Sequence, residues 1–456
     1  MPSSLRRELT VTSSGALVVS NMIGTGIFTL TGYLAGDLGR PLLVLGVWVL
    51  GAMVALAGCL AYAELGINLP RSGGEYVYLR EAWGPAWGFL SGWVSFFAGF
   101  SAPIAAGTLA FCAYLSHFFP SLSLDSPHKA LFGWRPLGNA QLVGVGVIAG
   151  FALINILGLR RAAKLQNLLT AVKLGVLGAF LALAFTVGHG DWGHFRLTAS
   201  RESSHGLVAQ FAVSLIFVMF AYSGWNAASY VTEETKAPER TLPRSMALGT
   251  GLVAMLYLAL NIAYIYALPL QSLKGVVAVG ATTASALFGS RAGHLFSGIM
   301  AAALLSTVSA MSLVGPRVYY AMAQDGCFPS AAARVHTRWQ TPVQAILYQA
   351  VASAAMVLTG TFEALIYYIG FTLILFAALA VAGLLRLRKR PGWRRLGAVS
   401  WCYPAIPAAF VLASLWMVAW TLAVRPRESS LGLLTILSGW LLYRWKFRGG
   451  SLRGHN

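Results

Sequence analysis

Two stretches of this chain place glycine, hydroxyl and amide residues in the middle of long apolar segments. The first reads Ser20-Asn21-Met22-Ile23-Gly24-Thr25-Gly26-Ile27-Phe28. The second reads Phe220-Ala221-Tyr222-Ser223-Gly224-Trp225-Asn226. A glycine in a helix interior costs about 1 kcal/mol relative to alanine, so each motif needs a reason. One reading is close packing of helices through small residues. The other is a broken helix whose freed backbone groups hold a ligand, which a bilayer tolerates only where the break lines a cavity or is buried in protein. The chemistry on offer is electrostatic and not covalent. A helix start presents N–H groups and a positive dipole end, which suit a carboxylate. A helix end presents carbonyls, which suit an ammonium. Both ends in one place suit a zwitterion such as a free α-amino acid. The N–H groups of Thr25, Gly26 and Ile27 are expected near the carboxylate, and the carbonyls of Met22, Phe220 and Ser223 near the amino group.

The elements that carry these motifs are membrane spans. The chain has 456 residues, 57% hydrophobic and 10% charged, with a mean hydropathy of +0.68. Soluble domains carry about 25% charged residues, and about 20 apolar residues cross a bilayer as a helix. Twelve such stretches are predicted, at Thr10–Gly36, Leu42–Leu65, Trp83–Phe119, Leu142–Leu159, Leu165–Val187, Leu207–Val231, Met246–Leu268, Gly293–Ala321, Val343–Leu358, Glu363–Leu385, Leu396–Val424 and Leu431–Trp445. The first is too long for a removable signal peptide and lacks its cleavage site. The two glycine motifs lie five spans apart, and an odd offset gives them opposite orientations. That pattern predicts an inverted repeat, spans one to five (10–187) matched to spans six to ten (207–385), with helices 1 and 6 discontinuous at the midplane. Residues 396–445 add two peripheral helices to this all-α transmembrane domain, 1–456.

The net charge of +19 would suggest nucleic acid in a soluble protein, but its distribution argues otherwise. With the N-terminus cytoplasmic, only Arg40, Lys129, Arg135, Arg196, Arg201, Lys274, Arg291, Arg425 and Arg427 of the 33 basic residues face outside, and Lys173 lies inside a span. The rest face inside, which fits the positive-inside rule with both termini cytoplasmic in a multi-pass cell-membrane protein. The basic excess then meets anionic lipid, and no nucleic-acid partner is expected. Cys59, Cys112, Cys327 and Cys402 show no metal-ligand spacing, and Cys59, Cys112 and Cys402 read as small hydrophobes. There is no paired His/Glu motif and no phosphate-binding loop, so no metal, cofactor or direct ATP drive is expected. The eight histidines fall in predicted loops, span ends or the tail, with no His/Asp or Cys/His cluster at membrane depth. That argues against a membrane enzyme such as an acyltransferase, and the absence of a signalling domain argues against a nutrient sensor.

The two glycine motifs resemble the substrate-binding motifs of the amino acid–polyamine–organocation superfamily, and the chain is similar to bacterial members related to the L-type amino acid transporter light subunits. Three further stretches carry the resemblance: Tyr62-Ala63-Glu64-Leu65 running to Gly73-Gly74-Glu75-Tyr76, then Thr232-Glu233-Glu234 with Pro238-Glu239-Arg240, and Pro316-Arg317-Val318-Tyr319-Tyr320-Ala321-Met322-Ala323. The resemblance implies a five-plus-five core and alternating-access transport of amino acids. It makes Phe220 an aromatic gate and Asn226 a polar residue lining the site. Vertebrate light subunits bond to a heavy chain through a cysteine between spans three and four. Here Ser116–Gln141 has none, so no such partner is expected.

Lys173 lies deeper within a span than any other basic residue. A mid-membrane lysine costs ~2.5–3.5 kcal/mol on insertion scales, unless it snorkels to the interface. The resemblance offers a role, because sodium-independent relatives place a span-five lysine where sodium-coupled members bind the cation between spans one and eight. Ser306, Thr307 and Ser309 of span eight are the matching hydroxyls. Sodium-independent exchange is therefore expected, with proton symport as the alternative. Ser223 bears on selectivity. It is neutral and of intermediate bulk, and burying an unpaired cationic side chain costs several kcal/mol. With apolar bulk from Phe220 and Trp225, the site is expected to prefer small neutral amino acids. Alternatively, Ser223 satisfies only its own backbone.

Overall fold

Backbone polar groups in lipid must be satisfied within the segment, and each predicted apolar stretch is accordingly helical. The computed structural model describes residues 9–447 except 72, 125–128, 132–134, 158 and 340. Both chain ends, expected in the cytoplasm, lie outside the described residues. Span one is a bent pair, α1 (Val11–Met22) and α2 (Gly26–Leu38), with 46° between them. α1 begins in a reciprocal cap: Ser13 N donates to Thr10 Oγ1 at 3.4 Å and Thr10 N to Ser13 Oγ at 2.8 Å. Span two is α3 (Pro41–Asn68), followed by the short α4 (Glu75–Trp83), which is not itself a span. Span three runs through α5 (Pro85–Val94), a π-helical turn Ser95–Ser101 and α6 (Ala102–Leu115). Spans four and five are α7 (Asn139–Ile156) and α8 (Leu159–Thr186).

Span six is α9 (Leu207–Tyr222) continued after a break by a 3-10 helix, Ala227–Glu234. Span seven is α10 (Pro238–Ala267); the connection to span eight is itself helical, with α11 (Leu270–Leu273) and α12 (Val279–Phe288). Spans eight to ten are α13 (Ser290–Gln324), α14 (Val343–Thr359) and α15 (Phe362–Leu387). After α16 (Gly397–Trp401), α17 (Ala405–Val424) and α18 (Pro426–Phe447) close the chain. Among the described residues, eight helices are long and apolar enough to cross a membrane, or nine with the bent pair. The shorter apolar stretches of spans five (Ala171–Thr186) and nine (Val343–Thr359) account for part of the difference from twelve. The expected loop Ser116–Gln141 also holds an antiparallel pair, Lys129–Leu131 with Arg135–Leu137.

The two faces are tied differently. On the face that carries the start of α1, the Glu64 carboxylate is fully buried. It receives Arg388 Nε at 2.7 Å, Arg388 Nη2 at 3.2 Å, Trp393 Nε1 at 3.0 Å and the Leu396 N–H at 3.1 Å. Arg388 also donates to Ser400 Oγ at 2.6 Å and lies over the Tyr403 ring. This network joins spans two, ten and the segment before span eleven. On the other face the closure is mainly aromatic. Tyr33 stacks on Phe217 and Phe362, and Phe217 meets Tyr367 at 4.4 Å. Tyr114 Oη donates to Phe28 O at 2.7 Å and Thr31 Oγ1 to Asn261 Oδ1 at 2.8 Å, fastening α2 to spans three and seven.

Candidate substrate site at the two helix breaks

Both breaks are set by what fits where spans one and six cross. A Cβ at Gly26 would fall 2.6 Å from Ala221 Cβ and 2.7 Å from its Cα. Gly224 has φ +100°, and a Cβ there would sit 3.0 Å from Asn21 Cβ. Each glycine thus abuts the other broken span, so close packing and helix interruption coincide here. Gly24 differs: its Cβ would meet only ordinary contacts, the nearest being Thr307 Cγ2 at 3.7 Å. α1 stops because Ile23 leaves the helical region at ψ 87°. α9 stops where Ser223 turns extended at ψ 142°.

The freed backbone groups are unequal. Among the described residues, no hydrogen bond reaches the N–H groups of Thr25, Gly26 and Ile27, at the start of α2. The Thr25 carbonyl is occupied by Phe28 N at 3.1 Å and Thr29 Oγ1 at 3.0 Å. Phe220 O accepts Ser223 N at 3.0 Å. Met22 O accepts Tyr257 Oη at 2.6 Å, and the same hydroxyl lies 3.1 Å from Ala221 O. Tyr257 of span seven therefore spans both broken helices, held edge-on to Trp48. The side chains of Met22, Ile23 and Ile27 are buried in the core, so only their backbones can serve a ligand. Gly24, Ser223, Gly224 and Asn226 remain half-buried.

Lys173 is 2% exposed. Its Nζ donates to Ile23 O at 2.5 Å and lies 3.4 Å from Ser20 O, on the carbonyl end of α1. It does not snorkel. Ser306 Oγ and Thr307 Oγ1 of span eight are buried without a hydrogen-bond partner among the described residues, so the lysine does not reach them. Ser309 is buried beside them.

The chain matches the amino acid permease family over residues 9–442. It belongs to that family. This permease is 31% identical to the serine/threonine exchanger SteT of Bacillus subtilis, over 97% of each chain. It is 30% identical to the large neutral amino acids transporter small subunit 2 of Mus musculus and to the human Asc-type amino acid transporter 1, in each case over 96% of this chain and 81% of the relative. Its spans make it a multi-pass membrane protein.

In the permease, the other residues expected at the site divide. Phe220 is buried in the last turn of α9, next to the break. Trp225 packs edge-on against Tyr62 at 4.7 Å and against Phe410 at 6.0 Å, filling the space beside Gly58 between spans two and eleven. Asn226 donates Nδ2 to Glu75 Oε1 at 3.1 Å. Tyr257 and Glu75 are the contributors that sequence reasoning passed over. Tyr257, Asn261 and Tyr264 form a polar stripe at helical spacing on an otherwise apolar span, a signal available in the sequence. Cys59, Cys112 and Cys327 are buried, Cys402 is half-buried, and no disulfide joins them among the described residues.

Proposed function

We propose that this permease exchanges small neutral L-amino acids across the cell membrane, by alternating access and without sodium. The observation that carries the reading is the meeting of the two breaks: three N–H groups at the start of α2 that no hydrogen bond reaches among the described residues, beside a turn in which Ser223, Gly224 and Asn226 are half-buried. Such N–H groups suit the substrate carboxylate, and the half-buried turn leaves room for a small side chain. The residues proposed to bind substrate are Gly24, Thr25, Gly26, Ile27 and Ser223 through backbone or hydroxyl, with Phe220 as gate and Asn226 as a polar lining. Lys173 supplies a fixed cation at the end of α1, where a sodium ion would otherwise be required, and its contact with Ile23 O supports that role. Repeats 10–187 and 207–385 rocking against each other would open the site alternately to each side.

Both termini are proposed to be cytoplasmic, on the basic face. The half-buried Asn21 and the exposed Tyr230 support an opening on that face in this conformation, with the aromatic layer closing the other. No disulfide-linked heavy chain is invoked, since Ser116–Gln141 lacks cysteine. Reconstituted permease loaded with unlabelled alanine should take up labelled alanine by counterflow, without sodium and without a pH gradient. Uptake only under an imposed proton gradient would establish symport instead, and no flux of any amino acid would refute transport.

A further inference from the structure

Glu75 is a buried carboxylate with no cation in contact among the described residues. It opens α4 directly after Gly73 and Gly74, whose φ values of +127° and +50° swing the chain back toward span six. A Cβ at Gly74 would fall 2.7 Å from the Tyr230 ring, so only glycine lets this segment reach so far. At the end of that reach, Glu75 Oε1 accepts from Tyr62 Oη at 2.8 Å and from Asn226 Nδ2 at 3.1 Å. One donor comes from span two and the other from the break of span six.

We infer that Glu75 is a positioning residue for the substrate site: its ionised carboxylate holds the Nδ2 side of Asn226 and so presents Oδ1 of the same carboxamide to the break. The inference rests on the transport reading above. A carboxylate can only accept, so while Glu75 is ionised the Asn226 amide has one orientation. A neutral carboxyl or an amide at 75 can donate, and then Asn226 is free to turn its Oδ1 away from the break. Burial is the dominant cause that raises the Glu75 pKa, to about 7, against the hydrogen bonds from Tyr62 and Asn226 that lower it. The groups that face it are Tyr62 of α3, Tyr78 of α4 and Tyr230 of the 3-10 helix. From the side of α15, Arg386 lies on the Trp83 ring and Arg390 pairs with Glu81, both at the far end of α4. The sign follows. The ionised, amide-holding form prevails above about pH 7 and is lost as pH falls through it.

The test is labelled-alanine exchange by reconstituted permease at pH values either side of 7, separating KM from kcat. For the native protein KM should rise about tenfold on acidification, the scale of one charge-assisted hydrogen bond, with kcat little changed. Glu75→Gln should show the raised KM at every pH, and Glu75→Asp should recover a pH step. Asn226→Ala combined with Glu75→Gln should be no worse than Asn226→Ala alone. Native KM and an unchanged pH profile in Glu75→Gln would overturn the inference. A second readout needs no transport: the carboxylic-acid C=O band of substrate-free protein, absent in Glu75→Gln. Asn226→Leu removes a donor to the ionised form, so the midpoint of that band should move to higher pH. An unmoved midpoint overturns the coupling; a moved midpoint in a protein that exchanges no amino acid keeps the coupling and refutes the transport reading.

Discussion

Replacing Lys173 by methionine tests the proposed sodium-free coupling at its source. The substitution keeps an unbranched apolar stem of similar length and removes the ammonium, so the surrounding packing of span five is largely retained. What is lost is one short charge-assisted hydrogen bond, to Ile23 O at 2.5 Å; the Ser20 contact at 3.4 Å is at the limit of bonding. Hydrogen bonds to charged groups contribute about 1.5–3 kcal/mol. If that contact stabilises the closed, occupied site and not merely the fold, exchange should fall by about 10- to 150-fold. Lys173→Arg should not rescue it, because a planar guanidinium does not fit a single-carbonyl contact at this depth. The assay is counterflow of labelled alanine in proteoliposomes, alongside thermal unfolding in detergent to establish that the variant is folded. A folded Lys173→Met permease with native exchange would refute the argument. So would sodium-stimulated exchange by the native protein.

Gly26→Val should lose folded protein and transport together, since the new side chain meets Ala221 below 3 Å. Gly24→Ala, which meets only ordinary contacts, should leave the melting temperature within a degree or two of native (roughly 0.5 kcal/mol or less) and raise KM; an unaltered KM would remove the backbone at Gly24 from the site. Ser223→Gly should admit larger neutral amino acids in competition with labelled alanine, with arginine and lysine remaining poor competitors. Arginine competing better than alanine would refute the neutral preference, and an unchanged profile would remove Ser223 as its cause. Arg388→Met should destabilise the permease by about 3–5 kcal/mol, because it strands the Glu64 carboxylate in the core. Glu64→Gln in the same chain should recover part of that loss, measured by thermal unfolding, and equal melting of both variants would count against the buried pair.

The breaks were legible because glycine in a membrane span is locally unfavourable and so must be explained by something outside its own helix. The spans were legible from hydropathy alone, and the boundaries that moved did so for a physical reason: α10 begins at Pro238, eight residues before the apolar stretch, as an amphipathic turn that hydropathy scores as loop. Between spans seven and eight the reason is length: α12 is apolar but has only 10 residues, too few to read as a span. Trp225 shows the limit of motif reading. Beside Ser223 in sequence, it looked like a pocket wall, but the reversed backbone at Gly224 turns it into the packing against Tyr62 and Phe410. Met22 O was expected to meet the substrate amine and instead accepts Tyr257, a residue on another span. Contacts between distant segments leave no local trace in one sequence, which is also why Glu75 carried no role until the fold brought it to Asn226.

The Glu64–Arg388 pair joins residues 324 positions apart. During synthesis, spans two to nine enter the bilayer before Arg388 exists. Throughout that interval Glu64 is a carboxylate at the end of a span with neither its guanidinium nor the Trp393 and Leu396 N–H donors that later saturate it. A carboxylate in that state must remain hydrated, so the end of span two stays at the water interface until the segment after span ten arrives. The packing of the early spans is therefore completed by one of the last segments made. In a chain interrupted before Arg388, Glu64 has no guanidinium to receive it and the end of span two stays in water.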